Sequence, residues 1–569
     1  MNADHRPGAG IARFIYNHNP FYPMSAGLML YGLSSAFAEG DSTSYSWMLF
    51  GSMAGYTALL VAAAALIVRW GKVWNDARTI ICTVAIMITV LSSSFDQRLI
   101  ESPMSGVPVL VAGLAIAAAL SEVLLRGTRI RLGRLYRTAW YLQLANLFLY
   151  PVLLNALLTY LPRGDAAVSL GLMAFPYLSA ALFIPLVVAT RRGASYAADS
   201  GTPWRWPLFP LSIFVLLAGS VAVRSYMLTL SFYPAHGMAT PWDWHFLAPL
   251  VAVAAAVVVE LAIALKSRIA ETLALYGPAA VFVASLGFDP PGRLRDTFVG
   301  TISAHVASPV FLALLCALAL YVYAAARGVS RARRWVVASL LALTVTGPYT
   351  AGLASLTPIQ SWPLAVVLAL LVAEAVRTGT SRAAMAASLA GVALLWSATR
   401  SAWFVAYAYA LPAHLMLVAA LVAGAWYTDA YAGKLRLWCA YAFGLLPIVA
   451  IAYGRGGDHA VPLPLLLTYL LAVAAATTVG WLYTGALSHL VSVCVQVGWA
   501  AGWGTWALFE LLASPAAPRG AAYMVAGACL FVVAVAISTA KGGGLTRLRE
   551  APKLMIESSR RRYRSRYLV

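Results

Sequence analysis

Stretches of about 20 mainly apolar residues, each closed by a short polar loop, recur along almost the whole chain and decide what it can fold into. Lipid offers no partner to a backbone N–H or C=O group, so a segment that crosses it must satisfy those groups internally, as a helix does. Eighteen stretches qualify, at 20–38, 47–68, 79–95, 105–125, 138–160, 166–190, 207–231, 246–265, 269–287, 302–326, 335–356, 359–376, 383–399, 402–426, 438–453, 462–485, 488–511 and 520–540. Those at 269–287, 383–399 and 438–453 are short or interrupted, so the expected number is about 18 within a range of 16–18. With 61% hydrophobic and only 11% charged residues, about half the charged share of a soluble domain, the chain reads as all-α, a polytopic transmembrane helical bundle.

The formal charge of +20 would suggest nucleic acid in a soluble protein, but the cations are placed to a pattern. Every second loop, counted from the N-terminal segment, is rich in Lys and Arg, and these segments hold 32 of the 40 cations. The intervening loops hold 7, and Arg224 lies inside a span. Translocating cations is disfavoured, so the rich side is expected to be cytoplasmic, with both termini inside and an even number of spans. The excess is therefore a topology signal, and no nucleic-acid partner is expected. The preference for Arg over Lys suggests a GC-rich bacterial genome, and hence the bacterial inner (plasma) membrane. Arg6 and Arg13 before an apolar run ending Ala36-Phe37-Ala38-Glu39 resemble a signal-peptidase substrate. The long polar lead and Pro23 inside the run favour a retained first span.

Local motifs recur at constant offsets. Pro20-Phe21-Tyr22-Pro23-Met24-Ser25 opens the first span and Pro207-Leu208-Phe209-Pro210-Leu211-Ser212 the seventh, with Gly32 and Gly219 in step. Pro108-Val109 and Arg126-Gly127 flank the fourth span as Pro309-Val310 and Arg327-Gly328 flank the tenth, and Phe95-Asp96 and Phe288-Asp289 follow the third and ninth. We read two six-helix membrane units in the same orientation, 20–190 and 207–376, the second a repeat of the first. A third membrane unit follows at 383–540, with a cytoplasmic segment 1–19 before and a basic cytoplasmic tail 541–569 after. Parallel repeats are one way in which transporters are built, and their sites lie where helices are interrupted at corresponding places.

Helices 5 and 11 carry such interruptions. Gln143, Asn146 and Tyr150 share one face of helix 5 just before Pro151, and Thr344, Thr346 and Tyr349 surround Gly347-Pro348 on helix 11. These are candidate cavity residues, although polar groups in lipid also serve as hydrogen bonds between helices. Arg224 and Glu260 are the two charges well inside spans, and such charges are costly and often functional. Counting helical rise puts them about 10 Å apart in depth, too far for a direct pair, so each is expected to reach toward its nearer interface. Glu122 with Arg126 and Glu374 with Arg377 have the spacing of local ion pairs. Trp204, Trp206, Trp242 and Trp244 read as interfacial anchors.

Glu39, Asp41, Asp96 and Glu101 fall in outer loops, where a carboxylate serves lipid-linked group transfer as a base or metal ligand. Acidic outer loops also follow from topology alone. His236, His245, His305, His414, His459 and His489 are scattered, and Trp499, Trp503 and Trp506 interleave with glycines. The five cysteines are isolated in apolar runs, and no nucleotide-binding loop, H-E-x-x-H or G-x-S-x-G occurs. No metal or other cofactor is expected. Arg560, Arg561, Arg562, Arg564 and Arg566 in the tail suit contact with anionic lipids at the cytoplasmic face.

The reading that joins these features is a secondary transporter or flippase-like carrier of a small or amphipathic solute. The alternatives are a membrane-embedded enzyme using the outer carboxylates, and a structural or assembly subunit of a membrane complex.

Overall fold

A computed structural model describes residues 20–37, 43–160, 165–233, 240–286, 293–348, 360–398 and 410–435, with shorter stretches between 437 and 506. The described residues are all-helical, without strands. Ten of their helices are long and apolar enough to cross a membrane. The chain divides into two compact units, 1–360 and 361–569.

In the first unit the helices are α1 (Phe21–Phe37), α2 (Thr43–Leu66), α3 (Trp74–Ser93), α4 (Asp96–Glu101), α5 (Pro103–Thr128), α6 (Arg134–Tyr160), α7 (Asp165–Leu182) and α8 (Ile184–Arg191). They continue as α9 (Leu208–Phe232), α10 (Ala248–Leu265), α11 (Arg268–Ser285), α12 (Arg293–His305), α13 (Pro309–Ala326) and α14 (Ala332–Val345). The second unit contains α15 (Ser361–Thr378), α16 (Ser381–Ala398) and α17 (Ala410–Trp426), each packed on the next. The expected spans at 438–453, 462–485, 488–511 and 520–540 lie largely or wholly outside the described residues.

Helix limits follow local chemistry. The Ser267 and Ser308 side chains accept from the amides of Ala270 and Phe311, capping α11 and α13 at their starts. Proline restricts the residue before it to extended backbone, so Ser308 turns out (ψ 140°). What was expected as one span at 302–326 is therefore two helices, α12 and α13. The expected span at 166–190 has a turn at Phe183, between α7 and α8, and remains one membrane-length segment, Ala166–Arg191. Lys72, Arg129 and Lys266 adopt left-handed conformations where helical segments end. At such ends a cation complements the negative pole of the helix.

Apolar packing runs through the first unit, from Phe50 and Met53 of α2 through Phe148 of α6 to Phe298 of α12. Large apolar side chains on the outer faces, such as Leu59, Leu153 and Val215, are 65–71% exposed, as suits helices solvated by lipid. Helix α9 packs on α3, α4, α6 and α7. Trp74 and Trp204 meet edge to face near the starts of α3 and α9, and Asp96 and Arg224 meet toward their other ends. The two helices therefore run the same way.

Candidate functional site

Arg224 sits on the third turn from the end of α9, with apolar neighbours Val221 and Leu228 one turn to either side. A guanidinium there needs a partner because lipid and packed side chains cannot solvate it. It finds one in Asp96, the first residue of α4. Arg224 Nη2 donates to Asp96 Oδ1 at 2.7 Å, Nη1 donates to Oδ2, and Nε reaches the Leu147 carbonyl of α6 at 3.4 Å. The two side chains are 0% and 1% exposed. Arg224 therefore does not reach toward an interface. Asp96, read from sequence as an outer-loop acid, is enclosed and neutralises it. Both carboxylate oxygens accept from the guanidinium.

The polar face of α6 runs beside the pair. Gln143 Nε2 donates to the Ser179 carbonyl at 2.6 Å and Asn146 Nδ2 to the Ser179 hydroxyl at 2.7 Å, while the Tyr150 hydroxyl donates to the Gly171 carbonyl. These residues join α6 to α7, as polar groups between membrane helices do. Gln143 is one turn from Leu147, and its Oε1 has no hydrogen-bond partner among the described residues, nor does the hydroxyl of Ser225 beside Arg224. α4, α6 and α9 thus meet at one enclosed ion pair.

Glu260 also has a partner of its own. It is 2% exposed and accepts from Arg327 Nε at 2.6 Å, Arg327 Nη2 at 3.0 Å and the Tyr323 hydroxyl, both from the end of α13. Arg224 and Glu260 are not paired with each other, in line with the depth argument, but Glu260 too is held by another element and does not extend alone to an interface.

The other candidates separate. In α14 the Thr344 hydroxyl donates to the Leu341 carbonyl and the Thr346 hydroxyl to the Ala342 carbonyl. Beyond the helix end, Gln360 donates to the carbonyls of Thr344 and Thr346. The broken end is thereby satisfied locally. Glu101 accepts from Gln97 on the surface. Glu122 pairs with Arg126 as the spacing predicts and also with Arg137. Glu374 and Arg377, both exposed, do not pair with each other and form no ion pair among the described residues. Of the four anchor tryptophans, Trp244 is exposed, whereas Trp204 packs on Trp74 and Trp242 on Tyr226 and Phe246. His245 stacks on Phe246 and Phe298, and His414 bonds the Tyr469 hydroxyl.

Glu39, Asp41, Tyr349, Arg560, Arg561, Arg562, Arg564, Arg566, His236, His459, His489, Trp499 and Trp503 lie outside the described residues. Among the described residues no three His, Cys, Asp or Glu side chains converge as a metal-binding group. Compared with models of protein families, with curated proteins and with solved structures, the chain matches none.

Proposed function

We propose that the chain is a secondary transporter or flippase-like carrier for a small or amphipathic solute, and that the Asp96–Arg224 pair is the polar element on which its states turn. One observation carries this reading: a fully enclosed, two-pronged ion pair joins α4 to α9 inside a bundle of membrane-length helices. Burying such a pair costs heavily in desolvation and yields little net stability, whereas breaking it strands a charge. Offering Arg224 another anion removes the penalty for separating the helices. The pair thus has the properties of a latch.

Two features support parallel repeats as the frame. α1 and α9 begin at matching motif positions, Phe21 and Leu208. Arg126 and Arg327, the equivalent residues at the other offset, each hold a glutamate, Glu122 and Glu260. The cation pattern supports insertion with both termini cytoplasmic in a bacterial inner membrane.

The test needs no knowledge of the solute. In a cysteine-free background, Ser225→Cys places a thiol beside Arg224 in α9. A membrane-impermeant maleimide applied to right-side-out and to inverted vesicles should label it slowly from either side, and Asp96→Asn should speed labelling. A folded protein labelled from neither side, with or without Asp96→Asn, would make the pair a static element of a structural subunit.

A further inference from the structure

The turn between α5 and α6 carries a groove that the carrier reading does not use. It encloses about 990 Å³ and is walled by Arg126, Arg129, Arg131 and Arg137 on one side and by the 198–202 stretch on the other. Its two carboxylates are Glu122 and Asp199. Glu122 is spent on Arg126 and Arg137. Arg129 and Arg131 are exposed and form no ion pair among the described residues, and Asp199 faces this surplus alone.

The walls are fixed to each other. The Arg131 amide donates to the Ser200 carbonyl at 2.8 Å. Gly201, at φ +72°, lies so close that a Cβ there would be 2.4 Å from the Arg129 carbonyl oxygen. Ser200 and Thr202 hydroxyls bond each other at 3.0 Å. The groove is therefore a formed feature, and its size falls in the range of small-molecule sites.

A second, shallower groove of about 520 Å³ begins at Arg134 and the shared Arg137 and runs along α6 past Thr138 and Tyr141 to Leu142. Leu142 is 38% exposed on the outer face of the helix. The two together pass from a cationic end to an apolar flank over about two turns of helix. That sequence of environments matches a phosphate headgroup followed by its acyl chain, and not a freely dissolved anion.

We propose that this site binds an anionic phospholipid, with Arg129 and Arg131 contacting the phosphate and the flank of α6 receiving the chain. Each cation near a membrane surface contributes about five-fold to such binding. Intact protein, delipidated in a mild detergent, is titrated with dioleoyl phosphatidylglycerol or dioleoyl phosphatidylcholine and bound lipid is counted by native mass spectrometry. The wild type should prefer phosphatidylglycerol. R129Q/R131Q should weaken it roughly 25-fold, at about five-fold per arginine, and R129K/R131K should retain most of the affinity. R333Q/R334Q, which removes two exposed arginines from the first turn of α14, should change little. Unchanged elution and melting of R129Q/R131Q keep the comparison valid, and if that variant is misfolded the single R131Q variant should still weaken phosphatidylglycerol about five-fold. Equal losses in the two glutamine variants, or no loss in either, would overturn the site in favour of diffuse surface charge. Displacement of the lipid by millimolar inorganic phosphate, with no preference between the two lipids, would overturn the lipid assignment and leave a soluble-anion site.

Discussion

Arg224 and Asp96, 128 residues apart in the chain, close on each other through both prongs of the guanidinium, with neither side chain more than 1% exposed. Removing one partner leaves the other as an unpaired charge where nothing can solvate it. Asp96→Asn and Arg224→Met should each lower stability by about 3–5 kcal/mol, whereas removing both partners from a buried pair is often close to neutral. The double variant D96L/R224M should therefore recover most of the loss of the single variants. Thermal melting in detergent reads this cycle, and a double variant that falls by the sum of the two single losses would show that the residues do not act as a unit.

Glu260 and Arg327 form a pair of a different kind, because Glu260 is 2% exposed and Arg327 27%. After Glu260→Gln the guanidinium can turn to water along its exposed edge. After Arg327→Met the carboxylate stays buried, with the Tyr323 hydroxyl as its remaining side-chain donor among the described residues. Arg327→Met should therefore be the more damaging change, by about 1–3 kcal/mol in the same melting assay. Equal losses would mean that Arg327 is held as tightly as Glu260.

The helices were legible because lipid imposes one rule on every span, an internally bonded apolar run, and that rule needs no knowledge of neighbours. Counting rise argues against a direct pair between Arg224 and Glu260, and the structure pairs each with another residue, Asp96 and Arg327. Which helices lie side by side is set by packing along whole faces, so Asp96 reads from sequence as a loop acid although it meets Arg224. For the same reason Gln143, Asn146 and Tyr150 could be recognised as one face of a helix, but not their acceptors Ser179 and Gly171 on α7. Pro309 was legible as a repeat marker, and its restriction on Ser308 explains the break that divides α12 from α13.

The position of Asp96 depends on a glycine in the next helix. A Cβ on Gly106 would lie 2.4 Å from the Leu99 Cα, so α4 can fold against α5 only if that side chain is absent. Gly106→Ala must move α4, and Asp96 with it, for a loss of about 1–3 kcal/mol as in other overpacked sites. Gly219, within α9, has nothing within 4 Å of its own Cβ position, so Gly219→Ala should be neutral or slightly stabilising. If the two alanine variants melt alike, the contact between α4 and α5 is looser than these distances require.

In the second unit, Asp429 accepts from the Ser381 amide at 2.9 Å, the Ala432 amide at 2.8 Å and the Ser381 hydroxyl. The Ser381 hydroxyl, followed by the Ala432 amide, holds this carboxyl below its ordinary value. A group whose folded value is depressed contributes stability that is fully present above the unfolded value, about 3.9 for aspartate, and is lost as pH falls through the folded one. The start of α16 and the start of the helix at 430–435 should therefore keep their amide protection from neutral pH down to about pH 4 and lose it progressively below. Hydrogen exchange of the Ser381 and Ala432 amides should show this loss, corrected for the intrinsic pH dependence of exchange. Asp429→Asn, which has no carboxyl to titrate, should show weaker protection at neutral pH and little further change on acidification. A wild type and an asparagine variant with the same profile would mean that these amides are held by the helix and not by the carboxylate.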